Sequence, residues 1–284
     1  MNDKTVRAEH LPIEKLRNFA GNPFQVRNDD EMEQLVFSIL TQGVLTPVMV
    51  RPLENGEYEV ISGHRRVHAC KKAGIDTVPA LIYCLDRDEA AIALVDSNLH
   101  RERILPSEKA FAYKLKMDAM SRQGQRTDLT STQLVSKLRT NEIVGEANGD
   151  SREQVRRYIR LTYLIPEILR MVDEGRIALT PAVELSYLAE QEQRDLLETM
   201  ESEDCTPSLS QAVQLKKLSQ AGDLDMDKIF ELLRQPKANQ KDKISFRVDE
   251  LRKFFPKSYT TAKIQDTILK LITEYYRKRG REER

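Results

Sequence analysis

Apolar positions along this chain follow two rhythms, and the change between them divides it. Over the first hundred residues, short strand-like runs alternate with helical stripes. After about ten polar, loose residues, Leu11, Ile13 and Leu16 begin a short strand or turn, and Gly21-Asn22-Pro23 marks a loop. Asn28 with Glu31 three places on is a capping-box-like helix start. The helical stripe is Met32, Leu35, Val36, Ile39 and Leu40, and Gly43 stops it. Pro47–Arg51 and Glu57–Ile61 predict two strands around Asn55-Gly56, a dipeptide suited to the positive φ angles of a tight hairpin. A helix then runs to about Ala73, where Gly74 ends it. A strand over Val78–Cys84 and a helix over Asp88–Asn98 complete an α+β module spanning residues 1–104.

From residue 105 the pattern is helical. Pro106-Ser107-Glu108 opens a helix to about Met120, and residues 121–139 are polar and arginine-bearing with one brief stripe, Leu134 and Leu138. Thr140 to Leu161 has the form of a helix-turn-helix. Thr140 caps the first helix, Gly149 supplies the positive φ of the turn, and Ser151 caps a second helix held on the core by Val155 and Ile159. Further helices over 181–188, 190–200 and 208–218 make residues 105–220 an all-α module. Residues 221–243 are a linker region with one short helix over 223–233. In the final segment, 244–284, Ile244, Phe246 and Val248 alternate like a strand. Ile264, Ile268, Leu271, Ile272 and Tyr275 give a helix one apolar face that needs a partner, either this chain or a second copy. The expected fold class is an α+β N-terminal domain, an all-α helix-turn-helix domain and a small C-terminal α/β dimerisation-type segment.

Composition narrows the class. Of 284 residues 32% are charged and 40% hydrophobic, as in a soluble globular chain, and no apolar run is long enough to span a bilayer. The cytosol is the expected compartment, with no membrane partner. Cys70, Cys84 and Cys205 are odd in number and widely spaced, which predicts reduced thiols and neither a disulfide framework nor a metal-ligand set. The 45 basic and 45 acidic residues cancel, but unevenly. Residues 101–180 hold 15 Lys/Arg against 11 Asp/Glu and residues 237–284 hold 14 against 7, whereas residues 1–100 and 181–236 are acidic. The basic blocks are the ones suited to face nucleic acid.

Three loops of the first module carry polar groups that a core does not require. Gln25 and Arg27 sit in one. The second, Ser62-Gly63-His64-Arg65-Arg66, joins a strand to a helix. There the backbone N–H groups of the helix start and two guanidiniums suit an anion, most often a phosphate. The third is Asp96-Ser97-Asn98-Leu99-His100-Arg101, which adds an arginine and an amide-plus-carboxylate set suited to a hard cation such as Mg2+.

The order Asn22 to Arg27, then Ser62 to Ile82, then Asp96 to Ala110 resembles the N-terminal domain of the ParB/RepB-type chromosome- and plasmid-partition family, over residues 10–120. The resemblance implies a CTP pocket of the ParB/sulfiredoxin-like fold, with phosphates on Ser62, Gly63, His64, Arg65 and Arg66 and further contacts from Gln25, Arg27 and Arg101. It makes Asn98, with Asp96 nearby, the Mg2+-side ligand. Two positions depart from the family pattern. His64 and Ser97 stand where the family usually has glutamates implicated in hydrolysis or metal binding, so the resemblance implies nucleotide binding and carries over at most a weak CTPase. His64 and His68 lack a third zinc ligand. Cys70 lies outside the phosphate loop, where a sulfiredoxin-type thiol would have to sit.

The resemblance continues from Thr140 to about Leu185 as a DNA-binding domain. The second helix offers Arg152, Gln154, Arg156, Arg157 and Arg160 against one carboxylate, Glu153, with Thr140 and Ser151 at the helix starts. Arginine bonds guanine bidentately and glutamine bonds adenine, while either type also holds phosphate. The expected function is a sequence-specific DNA-binding partition protein. It would read a centromere-like site in double-stranded DNA, be gated by CTP, act as a homodimer and have a ParA-type ATPase as a partner. The alternatives are a helix-turn-helix regulator with a decayed nucleotide pocket, and a nuclease or sulfiredoxin-like enzyme on the same fold.

Overall fold

The computed structural model describes residues 6–101, 104–127, 150–235, 254–256, 259–260, 263–264 and 266–273, with the side chains of 124–127 excepted. The chain divides into two units, residues 1–235 and 236–284.

The first unit opens with a five-stranded mixed sheet. Its strands are β1 (Arg7–Pro12), β2 (Leu16–Asn18), β3 (Val48–Pro52), β4 (Tyr58–Ser62) and β5 (Thr77–Ile82). They lie in the order β1-β5-β3-β4-β2. β1 pairs antiparallel with β5, and β3 with β4, while β3–β5 and β2–β4 are parallel. The Asn55-Gly56 hairpin joins β3 to β4 as expected, with Gly56 at φ 78°. One expectation fails: residues 7–10 are not loose but form the first part of β1. That strand lies at the sheet edge with Arg7, Ala8, Glu9 and His10 exposed, so no alternation marks it. The cap of the next helix also shifts by one place. α1 (Asp30–Gln42) is capped by Asp29, whose carboxylate accepts from the Met32 N–H at 3.0 Å.

Alternation along the strands then decides what covers each face. Val48, Val50, Val60, Val78 and Ala80 pack against Met32 and Ile39 of α1 and Val67, Ala69 and Cys70 of α2 (His64–Lys72). Met49 and Ile61 face the other way, onto Ala90, Ala91, Leu94 and Val95 of α3 (Arg87–Asn98). The period-2 pattern of the strands thus sandwiches the sheet between two helical layers.

α4 (Pro106–Thr127) passes from this sandwich into the helical region. It runs past the expected end near Met120. Ala112 and Ala119 pack into the α3 side of the sheet core. Ala110 belongs to the second core, built from α6 (Pro166–Asp173), α7 (Leu179–Leu185), α8 (Glu190–Ser202), α9 (Leu209–Ala221) and α10 (Met226–Arg234). Small side chains on more than one face let one helix sit close to both cores. Polar pins reinforce the contact: Arg122 reaches Asp88 at 2.7 Å, Lys116 pairs with Asp96, and the Ser107 N–H and hydroxyl donate to Asp173.

α5 (Arg152–Arg160) docks on α4 through Val155 and Tyr113, both fully buried. The Tyr113 hydroxyl donates to the Asp150 carboxylate, which also pairs with Lys109 at 2.7 Å. Asp150 directly precedes Ser151, the N-cap of α5, so this cluster holds the helix start in place. The first helix of the expected helix-turn-helix, including Thr140, lies outside the described residues. In the second unit residues 266–273 are helical, and Leu269, Leu271 and Ile272 are exposed.

Tyr113→Phe removes the hydroxyl donor while keeping ring volume. A hydrogen bond to a charged acceptor contributes about 1.5–3 kcal/mol. Urea unfolding of the variant is expected to show a loss of that order; an unchanged midpoint would refute the pin.

Candidate functional site

Gly63 sets the geometry of the first site. It has φ 100° and ψ 22°, a left-handed conformation, and it ends β4 and caps α2. A Cβ there would lie 2.8 Å from Val48 Cγ1 and 3.2 Å from an Arg66 nitrogen. Only glycine meets both requirements. The strand therefore turns straight into a helix with no side-chain cap, and the first N–H groups of α2 are directed at whatever occupies the space before them.

The arginines of the loop diverge. Arg66 folds back and donates to the carbonyls of Thr46 and Pro47, the latter at 2.8 Å. Arg65 swings to α1, with Glu31 at 3.0 Å and Asp29 at 3.7 Å. Arg101, just past the end of α3, lies 5.6 Å from the Phe24 ring centroid. Burial, and then the neighbouring charge of Arg65, hold Arg101 below its usual pKa. Ser62, Gly63, Arg65, Arg66, Ser97, Asn98 and Arg101, with Glu31, Gln34 and Leu35 of α1, line one recess of about 630 Å3. That volume lies in the range of small-molecule sites. Asn98 is buried, and its amide nitrogen donates to Leu94 O at 2.7 Å and to Ser97 Oγ at 3.2 Å, which leaves the amide oxygen as its acceptor.

The structure separates the other expected residues from this recess. Gln25 and Arg27 are exposed and do not line it; the Gln25 backbone N–H donates to Glu108 of α4 at 3.0 Å. The Asp96 carboxylate is engaged by Lys116 on the α4 side. His64 points inward: it is 6% exposed, and its Nε2 is buried with no hydrogen-bond partner. Burial first, and the charge of Arg101 second, lower its pKa to about 4, so it is neutral at pH 7 and does not meet the recess. Cys70 is fully buried, and burial raises its pKa, the reverse of what a reactive thiol needs. Among the described residues no His/Cys/Asp/Glu group is arranged to hold a metal. Sequence reasoning did not bring in Glu31, Gln34 and Leu35. They sit on the first two turns of α1, and only packing of α1 against α2 shows that they face the loop.

The second site is the outer surface of α5. Ser151 caps it, accepting from the Gln154 N–H at 3.2 Å. Gln154 and Arg156 are exposed. Arg157 donates to Thr180 Oγ1 at 2.6 Å, and Arg160 donates to Ser186. The cationic residues of the helix therefore differ in how far the protein already holds them.

Residues 1–99 match the family model described as the ParB N-terminal domain. A probable chromosome-partitioning protein ParB of Pseudomonas putida is 34% identical over 188 residues, covering 66% of this chain and 59% of that protein. One from Vibrio cholerae is 28% identical over 257 residues, covering 90% and 82%. Residues 1–99 therefore carry a ParB N-terminal domain. The chain spans about six tenths of the length of the Pseudomonas relative. A C-terminally truncated ParB from Caulobacter crescentus is also similar to this chain. Its complex with the centromeric parS site matches at 24% identity and TM-score 0.43, covering 80% of this chain and 100% of that one. Its complex with CTP-gamma-S matches at 27% identity and TM-score 0.32, covering 65% and 94%. No helix among the described residues is long and apolar enough to cross a membrane.

Neutral, buried His64 carries a pH dependence. Its folded pKa, about 4, lies below the ordinary value of 6.5. The unfolded chain therefore takes up the proton first as pH falls, and stability present above about pH 6.5 is lost toward pH 4, by roughly 3 kcal/mol. Urea unfolding at pH 7 and pH 4.5 is expected to show this loss in the wild type and a smaller one in His64→Leu. Equal pH slopes in the two proteins would mean that His64 is charged or solvated in the folded state.

Proposed function

We propose that this chain binds a nucleoside triphosphate, CTP by family resemblance, in the recess at Gly63. We further propose that it binds double-stranded DNA at a centromere-like site through α5. The observation that carries the nucleotide reading is the pair Arg65 and Arg101. Two guanidiniums line one recess, above a helix start with no side-chain cap, and burial and then the charge of Arg65 hold Arg101 below its usual pKa. An anion relieves that repulsion and accepts from the backbone N–H groups at once. Arg66, tied to two carbonyls, contributes charge at the rim and fixes the loop. The recess volume suits a nucleotide, whereas the choice of base rests on the family alone.

A Mg2+ ion suits this site only as a companion of the phosphates. Among the described residues the one carboxylate lining the recess, Glu31, is paired with Arg65. Asn98 and Ser97 offer neutral oxygens, and a triphosphate supplies the rest of the shell such an ion needs. Mg2+ there would screen phosphate charge. Among the described residues no free base for hydrolysis lines the recess, because Glu31 is tied to Arg65 and His64 is turned inward.

Binding that favours one arrangement of the α3–α4 region over another would shift DNA affinity by the same factor that DNA shifts CTP affinity. That reciprocity is the content of the gating. A homodimer formed through residues 244–284 and a ParA-type ATPase partner belong to the same reading. The second reading, a DNA-binding regulator whose nucleotide pocket has decayed, is favoured by His64 and Ser97 and requires DNA binding indifferent to CTP.

Isothermal titration with CTP, with and without duplex recovered by selection from a random pool, tests the proposal. Wild type is expected to bind. Arg65→Ala should weaken CTP by roughly ten- to a hundredfold, the effect of removing charge-assisted hydrogen bonds. Wild type that gives no heat with CTP under either condition would exclude the nucleotide, and failure to enrich any duplex would exclude site-specific DNA recognition.

A further inference from the structure

The arginine at the end of α5 has an environment unlike the others. Arg160 Nε donates to Ser186 Oγ at 3.0 Å, and a terminal nitrogen donates to Ser186 O at 2.8 Å. Ser186 is itself 2% exposed, and its hydroxyl donates to Val183 O at 2.7 Å, so its oxygen is fixed as the acceptor. The Arg160 guanidinium carbon lies 3.9 Å from the Tyr187 ring centroid and 4.5 Å from that of Tyr163. On Tyr187 a second cation follows, Lys216 Nζ at 3.8 Å, which Glu184 holds at 2.9 Å.

The two tyrosines are fixed in turn from beneath. Gln193 is 2% exposed. Its amide oxygen accepts from the Ile165 N–H at 2.8 Å, and its nitrogen donates to Tyr163 O at 3.1 Å and Leu188 O at 3.0 Å. One buried amide thus ties together the two loops that carry the rings. A planar guanidinium with two directed bonds and two aromatic neighbours is a fitted part, which a lysine ammonium does not reproduce.

We propose that Arg160 is a positioning residue that fixes α5 against the helical body through Ser186, Tyr163 and Tyr187, and that it is not a DNA contact. The inference rests on α5 being the DNA-reading helix. Its Arg157 is likewise tied, to Thr180, so the C-terminal half of α5 is bolted down. Gln154, in the first turn, and Arg156, at mid-helix, are exposed. Helix-turn-helix proteins place the N-terminal end of the reading helix against base edges. A small rotation of α5 would misplace both residues, so the bolt at Arg160 sets the aim of side chains more than a turn away.

The test uses the full chain and two conservative variants, Arg160→Lys and Tyr187→Leu, with duplex recovered by selection on wild type. If Arg160 holds a phosphate, lysine keeps the charge and Arg160→Lys binds nearly as wild type, while Tyr187→Leu has no effect on DNA. If Arg160 positions the helix, both variants lose roughly tenfold or more in affinity. Both should then keep the wild-type slope of log K against log salt, because no phosphate contact, worth about 0.9 in that slope, has gone. Backbone amide hydrogen exchange over residues 155–160, measured without DNA, should quicken in both variants and not in Arg156→Lys. Near-wild-type affinity of Arg160→Lys, or unchanged exchange, would overturn the proposal. If wild type enriches no duplex, the DNA reading itself fails, and the exchange measurement still decides whether Arg160 pins α5.

Discussion

The close packing of α4 against two cores at once is the constraint on which the rest of this unit depends. A helix shared between a sheet sandwich and a helical bundle needs small residues on more than one face, and Ala110, Ala112 and Ala119 supply them. Dispersion and apolar burial fall off steeply with separation, so a larger residue at Ala112 would push α3 away and disturb Asn98 and Arg101 at its end. On its other side α4 holds Tyr113 and Lys109 around Asp150, at the start of α5. The recess and the outward-facing helix are therefore both referred to α4.

Much of this was legible in the sequence, for reasons that differ by element. The hairpin was legible because Asn-Gly turns impose a backbone geometry whatever surrounds them. The turn at Gly63 was legible because that glycine lies between an apolar strand and a basic helix, and the clash with Val48 supplies the physical reason. β1 was not legible: an edge strand with both faces wet obeys no apolar alternation. The full length of α4 was hidden because residues 121–127 are polar, include Gly124 and carry no apolar stripe. The α1 side of the recess stayed unseen because Glu31 and Gln34 read as an ordinary solvated helix face until α2 is placed beside them.

His64 illustrates where motif reasoning stops. From its position in the loop it was expected beside the phosphates. The backbone turn at Gly63 instead sends the side chain of the next residue under the helix start, into space that excludes water. A glutamate in that orientation would have to be protonated or paired, since an isolated buried carboxylate is far more costly than a neutral imidazole. The substitution therefore changes what α2 stands on as well as which group is presented to a ligand. Its unpartnered Nε2 is a polar cost carried inside the fold.

Arginine content, finally, says little until each guanidinium is sorted by what already satisfies it. Arg66 and Arg160 donate to carbonyl or hydroxyl oxygens of their own fold and leave limited capacity for a partner. Arg65 and Arg101 line the same recess, with Glu31 and Asp29 beside Arg65. Arg156 is exposed at the middle of a helix held at both ends. Ligand sites follow from the second and third kinds, and the first kind explains why those sites have a defined shape. On a basic helix the bonded arginines set direction and the exposed ones make contact, because the planar donor fork cannot serve two acceptors in different directions at full strength.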